Sequence, residues 1–132
     1  MNELVGLSKV EEYLREQPDL RLAIIYGSMA AGRARPDSDL DVAVAGREPL
    51  LVERKMALIS GLAELTGRTI DLVDLSTVGE PLLGQIIAGG RRVLGADRDH
   101  AELLRRHLFD QADFLPLRQR ILRERREAWL QR

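Results

Sequence analysis

The stretch from Gly27 to Asp41 brings together residue types that could bind phosphate and a metal ion. Gly27 follows a short apolar run, and a glycine there lets backbone N–H groups approach a phosphate closely, while the hydroxyl of Ser28 adds a donor. Asp39 and Asp41 stand one residue apart. On a strand their side chains project from the same face, where their repulsion is costly unless a divalent cation such as Mg²⁺ lies between them. These residues predict phosphoryl or nucleotidyl transfer.

A third carboxylate is expected from a neighbouring strand. Residues 69–75 alternate so that Asp71 and Val73 share one face and Leu72 and Asp74 share the other. Asp71 could bind a second ion or accept a proton from the attacking hydroxyl. We favour Asp71 because it has the apolar neighbours of a strand interior, but the sequence alone leaves Asp74 as a rival.

Two arginines, Arg33 and Arg35, lie between the glycine–serine pair and the aspartates, where either could neutralise phosphate charge. The glycine spacing also suggests a P-loop, but Arg33-Ala34 stands where that motif requires Lys followed by Ser or Thr. A P-loop is therefore excluded. Ser38 is expected to bond backbone groups of its own turn and to do no chemistry.

The remaining polar aromatic residues receive no role in this interpretation. His100 and His107 stand seven residues apart in a helical pattern with no carboxylate cluster on the same face, so both are expected to be surface residues. Tyr13 and Tyr26 are expected to be packing residues.

The elements that must position these residues follow from hydrophobic periodicity and turn chemistry. Residues 28–33 are expected to form a helical turn, followed by a loop over 34–38. The resulting order, α-β-β-α-β-α-β-α-α, indicates an α+β or mixed α/β fold, with helices packed against a small sheet of about four strands. The predicted helices cover 2–17, 49–65, 81–88, 97–109 and 115–132, and the predicted strands cover 22–26, 40–45, 69–75 and 91–94.

The composition is that of a folded protein with one core. The chain has 132 residues, of which 45% are hydrophobic and 31% charged, enough for one core but not for an independent second one. We expect a single domain over 1–132, with its core at about 20–95 and C-terminal helices at about 97–132. The absence of cysteine excludes disulfides, thiolate catalysis and Cys-based zinc sites. The sequence has neither a signal-peptide pattern nor an apolar run of membrane-spanning length, which predicts a cytoplasmic protein without a membrane partner.

The C-terminal segment 115–132 is the one concentrated basic patch in a chain whose formal net charge is −1. It holds six arginines and two glutamates, a local charge of +4, together with an apolar stripe formed by Leu115, Ile121, Leu122 and Trp129. Three interpretations stay open: a solvated helix face, docking to an acidic partner protein, and contact with RNA phosphates. Direct nucleic-acid binding is not favoured because the chain as a whole is not basic.

The order Gly-Ser, ten residues, then Asp-x-Asp resembles the defining motif of the DNA polymerase β nucleotidyltransferase superfamily. The run Ala-Gly-Arg-Ala-Arg-Pro-Asp-Ser-Asp-Leu-Asp-Val-Ala-Val more closely resembles the minimal nucleotidyltransferases. The resemblance covers about 22–94 and implies the nucleotidyltransferase fold. It implies that Gly27 and Ser28 hold the β- and γ-phosphates of ATP, that Asp39 and Asp41 bind Mg²⁺ at a site for two ions, and that Asp71 is the base or third ligand.

The length of the resemblance suits the MntA-like antitoxins, which are encoded beside a HEPN-domain toxin. That resemblance implies a protein adenylyltransferase, which moves AMP from ATP onto a tyrosine of the toxin, silences its ribonuclease activity and forms a hetero-oligomer with it. Two alternatives stay open. One is an antitoxin that acts by occlusion without catalysis, and the other is a small-molecule nucleotidyltransferase that resembles antibiotic-modifying enzymes but lacks their acceptor-binding domain.

Overall fold

The computed structural model describes residues 2–130, with side chains over 6–112 and 119–130. Within the described residues the chain forms five helices and four strands. The side chains of Leu115 and Arg118, and the whole of Arg132, lie outside the described residues. The elements in chain order are α1 (Asn2–Arg15), β1 (Leu20–Tyr26), α2 (Gly27–Ala30), β2 (Leu40–Gly46), α3 (Val52–Thr66), β3 (Ile70–Asp74), α4 (Leu82–Gly89), β4 (Arg91–Leu94) and α5 (Asp97–Leu130).

The four strands form one mixed sheet in the order β3-β2-β1-β4. β1 is antiparallel to both β2 and β4, whereas β2 and β3 are parallel. A parallel pair needs a crossover connection, and α3 provides it. The predicted mixed sheet of about four strands packed against helices is confirmed.

Both faces of the sheet are covered by helices, because alternate residues of β1 and β2 are apolar on each side. On one face the strands pack against α1 and α3, and on the other against α4 and the first part of α5. The first core includes Val10, Leu14, Val42, Val44, Leu58 and Leu62. The second includes Leu22, Ile24, Ala43, Leu83, Ile86 and Leu103. Asp41 and Asp71 belong to the α4 and α5 side, because they alternate with the residues of the first core.

The C-terminal region differs from the prediction. Two helices were expected over 97–109 and 115–132, whereas α5 is one continuous helix from Asp97 to Leu130. Residues 110–114, which the prediction placed in neither helix, contain no glycine and form part of α5. A proline inside a helix removes one intrahelical N–H bond, and at Pro116 this loss does not end the helix. No helix among the described residues is both long and apolar enough to cross a lipid bilayer.

Candidate active site

Asp41 occupies the centre of a row of polar side chains that crosses three adjacent strands. Its Cα pairs with that of Tyr26 on β1 and with that of Asp71 on β3. Paired residues of neighbouring strands project from the same face of a sheet, so the three side chains lie side by side. Asp39 lies immediately before β2, two residues from Asp41. The structure therefore brings together the three carboxylates that the sequence singled out.

The carboxylates perturb one another. Burial raises the pKa of Asp41 above its ordinary value, and the charges of Asp71 and Asp39 and a side-chain hydrogen bond with Asp71 raise it further. Burial likewise raises the pKa of Tyr26 to about 12, and the charges of Asp71 and Asp41 add to that effect. Each shift opposes the appearance of another negative charge at this position. Burial and neighbouring negative charges thus both act against ionisation at this position.

Gly27 makes room for Asp41. Its φ of 73° lies in the left-handed region that glycine adopts most readily. A Cβ atom added to Gly27 would lie 2.2 Å from Oδ2 of Asp41 and 3.1 Å from its Cγ. Sequence reasoning supplied one reason for a glycine after the strand, the close approach of a phosphate. The structure adds a second reason, the close approach of the Asp41 carboxylate.

Ser28 lies on the single-turn helix α2, next to Gly27. Met29 of this turn is buried in the core between the sheet and helices α1 and α3, which fixes the turn against the sheet. The side chain of Ser28 is partly exposed, so its hydroxyl is accessible from solvent. The turn thus presents Gly27 and Ser28 beside the carboxylate row.

The loop between α2 and β2 carries the two arginines. Both Arg33 and Arg35 are exposed, and among the described residues neither guanidinium is paired with a carboxylate. The hydroxyl of Ser38 accepts a 2.7 Å hydrogen bond from the backbone N–H of Arg35, and the backbone N–H of Ser38 donates to the carbonyl of Arg35 at 3.0 Å. The expectation that Ser38 orders its own turn is confirmed.

Asp74 is separated from this cluster by the alternation of β3. It pairs with Val44, on the opposite face from Asp41, and only 4% of its surface is exposed. Its carboxylate accepts hydrogen bonds from the backbone N–H of Leu50 at 2.8 Å, and from the N–H and hydroxyl of Ser76 at 2.9 and 2.6 Å. Burial alone would raise the pKa of Asp74, but these hydrogen bonds outweigh it and the pKa is lowered. Asp74 is a structural anchor, and Asp71 is the aspartate of β3 that reaches Asp41.

Sequence reasoning missed the contacts of Arg68 and predicted the wrong environment for His107. Arg68 donates hydrogen bonds from Nη1 to the carbonyl oxygens of Arg35 at 2.8 Å and Ser38 at 2.9 Å. His107 is not the surface residue that was expected, because its Nδ1 lies 2.5 Å from Oε1 of Glu80 and its side chain is mostly buried. Its position four residues after Leu103 on α5 is the signal that could have placed it on the inward face.

The donor set fits a hard divalent cation. Three carboxylates offer the oxygen ligands that Mg²⁺ prefers, and the charges of Asp71 and Asp39 act on Asp41 together with its burial. Among the described residues, however, no three acidic or histidine side chains already converge at metal-binding distance. Unneutralised carboxylates repel one another, so side-chain rotation would accompany the binding of an ion.

The distal part of α5 is not covered by the other residues that the structure describes. Leu122 and Trp129 are exposed by 54% and 70%, and Ile121 is also exposed. Arg120 and Glu124 form a loose ion pair at 3.7 Å along the helix. An exposed apolar stripe on a basic helix is compatible with both a solvated face and a docking face, two of the interpretations that the sequence also allowed.

Comparison with known proteins places the candidate site in context. The family model described as polymerase beta, nucleotidyltransferase, matches residues 8–99. The chain is 30% identical over 93 residues to the protein adenylyltransferase MntA of Shewanella oneidensis, an alignment that covers 70% of this chain and 67% of that protein.

Solved structures with the same fold include a chain of a toxin–antitoxin crystal structure with AMP-PNP. It has a TM-score of 0.75 and 25% identity, and the match covers 94% of this chain and 98% of that one. A second is a chain of the complex between a tri-AMPylated Shewanella oneidensis HEPN toxin and MNT antitoxin. It has a TM-score of 0.73 and 24% identity, with 92% and 97% of the two chains covered.

Proposed function

The chain belongs to the polymerase beta nucleotidyltransferase family, and on that premise we propose that it is an antitoxin that transfers AMP from ATP to a tyrosine of a HEPN-type ribonuclease toxin. The observation that carries the chemistry is the pairing of Asp41 with Asp71 beside Gly27, with Asp39 close enough for its charge to act on Asp41. The relative named protein adenylyltransferase supports AMP as the group transferred and protein as its acceptor. The toxin–antitoxin crystal structure with AMP-PNP, whose matching chain is 25% identical, supports a toxin as the partner and therefore a hetero-oligomer. A cytoplasmic location is part of the same proposal.

Each residue of the site has a proposed task. The backbone of Gly27 and the hydroxyl of Ser28 contact the β- and γ-phosphates of ATP. Asp39 and Asp41 are the candidate ligands of Mg²⁺, and Asp71 is the third ligand or the base that accepts the proton of the attacking hydroxyl. When bound, Mg²⁺ would neutralise the carboxylates and stabilise the charge that develops on the phosphates. Arg33 and Arg35 are exposed on the adjoining loop, where either can approach the phosphates.

The proposed reaction is balanced without any further reactant. The tyrosine oxygen forms a bond to the α-phosphorus of ATP, and the bond between that phosphorus and the bridging oxygen of the β-phosphate breaks. Pyrophosphate leaves, and the tyrosine proton passes to a carboxylate such as Asp71. Because several carboxylates of the site would repel the phosphates of ATP, we expect nucleotide binding to require a divalent cation.

Incorporation of AMP into the toxin tests the proposal directly. The purified pair would be incubated with Mg²⁺ and ATP labelled in the α-phosphate, and the modified tyrosine located by mass spectrometry. We expect incorporation by the unmodified protein and by Asp37→Asn, a control at an exposed aspartate of the same loop, but not by Asp39→Asn or Asp41→Asn. Undiminished incorporation by both site variants would overturn the assignment of these residues.

The same variants separate catalysis from occlusion. If AMP transfer silences the toxin, ribonuclease activity should return when Asp41→Asn replaces the unmodified antitoxin. A toxin that stays inhibited by Asp41→Asn without modification would show that occlusion suffices.

A further inference from the structure

Arg68 contacts the loop that leads into Asp39, although its own backbone lies at the junction of α3 and β3. Its Nη1 atom donates to two carbonyl oxygens of that loop, those of Arg35 at 2.8 Å and Ser38 at 2.9 Å. Both N–H groups of one guanidinium nitrogen are thereby used to join the two ends of the 35–38 turn. Hydrogen bonds from a charged donor are roughly twice as strong as those between neutral groups.

The residue after Arg68 completes the arrangement. The backbone N–H of Leu40 donates to the carbonyl of Thr69 at 2.9 Å. The neighbours of Asp39 on both sides are therefore held by consecutive residues: Ser38 by the side chain of Arg68, and Leu40 by the backbone of Thr69. Asp39 is fixed between these two contacts although it precedes the first residue of β2.

The base of Arg68 is itself well anchored. Its backbone N–H donates to the hydroxyl of Thr66 at 3.2 Å, and that hydroxyl donates to the carbonyl of Leu62 in the last turn of α3 at 2.8 Å. Gly67 ends the helix with a left-handed φ of 67°, and its N–H bonds the carbonyl of Ala63 at 2.7 Å. The guanidinium thus connects the hydrogen-bonded end of α3 to the loop before β2.

We infer that Arg68 is a positioning residue that fixes the backbone on either side of Asp39 and so aims its carboxylate toward the cation of the nucleotide site. This inference rests on the proposed function, because it assigns Arg68 to the same site. Residues that orient metal ligands typically change metal affinity or activity by 10–100-fold when they are mutated. Arg68 therefore affects cation binding by positioning Asp39, and not only by its own positive charge.

A double-mutant comparison of Mg²⁺ binding tests this assignment. Calorimetric titration of Mg²⁺ into the full chain with a non-hydrolysable ATP analogue gives the affinity. We expect Arg68→Met to weaken Mg²⁺ binding by about 10-fold or more, in line with other groups that orient metal ligands. In an Asp39→Asn background the same change should have less than about a twofold effect, because coupled residues are non-additive. Arg68→Lys, which keeps a donor for the carbonyls, should restore part of the affinity.

Arg54 provides the matched control. Its guanidinium bonds Asp19 at 2.7 Å and Gln17 at 2.7 Å, and it joins the first turn of α3 to the α1–β1 connection, not to the site. Arg54→Met should therefore lower stability without changing Mg²⁺ affinity. Equal losses of Mg²⁺ affinity in the two Met variants would mean that Arg68 has only a general structural role, and would overturn the inference.

Backbone hydrogen exchange gives a readout that needs no metal. In the metal-free protein, Arg68→Met should speed exchange at residues 35–40, whereas Arg54→Met should not. Unchanged exchange in Arg68→Met, or an equal effect of this change on Mg²⁺ binding with and without Asp39, would overturn the inference. If the unmodified protein bound no Mg²⁺ in the presence of the nucleotide analogue, the proposed function would fail, and so would the role of Arg68 in aiming Asp39 at the cation. The exchange data would still decide whether Arg68 holds the loop.

Discussion

Replacing Gly27 by alanine probes the contact between the turn after β1 and the Asp41 carboxylate. The added Cβ would lie 2.2 Å from Oδ2 of Asp41. Ordinary carbon–oxygen contacts are about 3.3 Å or longer, so the carboxylate or the turn must move by about 1 Å. Alanine must also adopt the φ of 73° that Gly27 has, which costs roughly 1–2 kcal/mol for a residue with a Cβ.

These two effects act on different quantities. The backbone cost lowers the free energy of unfolding by about 1–2 kcal/mol. The displacement of Asp41 lowers activity, because a misplacement of about 1 Å can reduce a rate by about 100-fold. Gly32 separates the two effects, since its φ is 70° but nothing lies within 4 Å of an added Cβ. Gly32→Ala should share the loss of stability and lack the displacement of Asp41.

The comparison requires AMP incorporation into the toxin and urea unfolding for both alanine variants. We expect similar losses of stability, and an activity about 100-fold lower for Gly27→Ala than for Gly32→Ala. If the two variants were equally active, the close approach of Gly27 to Asp41 would have no catalytic consequence, and this reasoning would be refuted.

Three further predictions concern stability. The pKa of Asp41 in the folded state is raised above its ordinary 3.8. As the pH rises above 3.8, the folded state therefore keeps a proton that the unfolded state loses, and the free energy of unfolding falls. Asp41→Asn should therefore increase the urea-derived free energy of unfolding of the metal-free protein at neutral pH, a gain that disappears in acid. The lowered pKa of Asp74 has the opposite sign: its stabilisation is present above 3.8 and is lost as the pH falls. Asp74→Asn should cost about 1.5–3 kcal/mol at neutral pH and less in acid, with Mg²⁺ affinity unchanged in the calorimetric titration. Trp129→Ala should change stability by no more than about 0.5 kcal/mol in urea unfolding, because the indole is 70% exposed, so any loss of toxin capture by this variant would report an interface.

Much of the fold and the arrangement of the carboxylates could be predicted from local patterns. Alternation along a strand depends only on backbone geometry, so it correctly placed Asp71 and Asp74 on opposite faces of β3. Asp39 precedes β2, so the shared face of Asp39 and Asp41 stays a prediction. The short strand before Gly27 was also recognisable, although β1 begins at Leu20, two residues earlier than expected. Such features need no knowledge of distant contacts.

Contacts between distant parts of the chain could not be predicted in this way. Arg68 lies 30 residues after Ser38, and no local pattern indicates that its guanidinium reaches back to the loop. The pair of His107 and Glu80 likewise joins residues 27 positions apart. The continuity of α5 was missed only over residues 110–114, where Asp110, Gln111 and Asp113 interrupt the apolar periodicity by which helices are recognised.

The pairing of Asp41 with Asp71 depends on the register of the parallel strands β2 and β3. A shift of one residue would turn Asp71 to the opposite face and bring an apolar neighbour beside Asp41. Backbone hydrogen bonds at both ends oppose such a shift: Leu40 N–H donates to the carbonyl of Thr69 at 2.9 Å, and Leu75 N–H donates to that of Val44 at 2.8 Å. The strand pair must therefore hold its carboxylates together against their electrostatic repulsion. The binding of a cation would reduce that repulsion without changing the register.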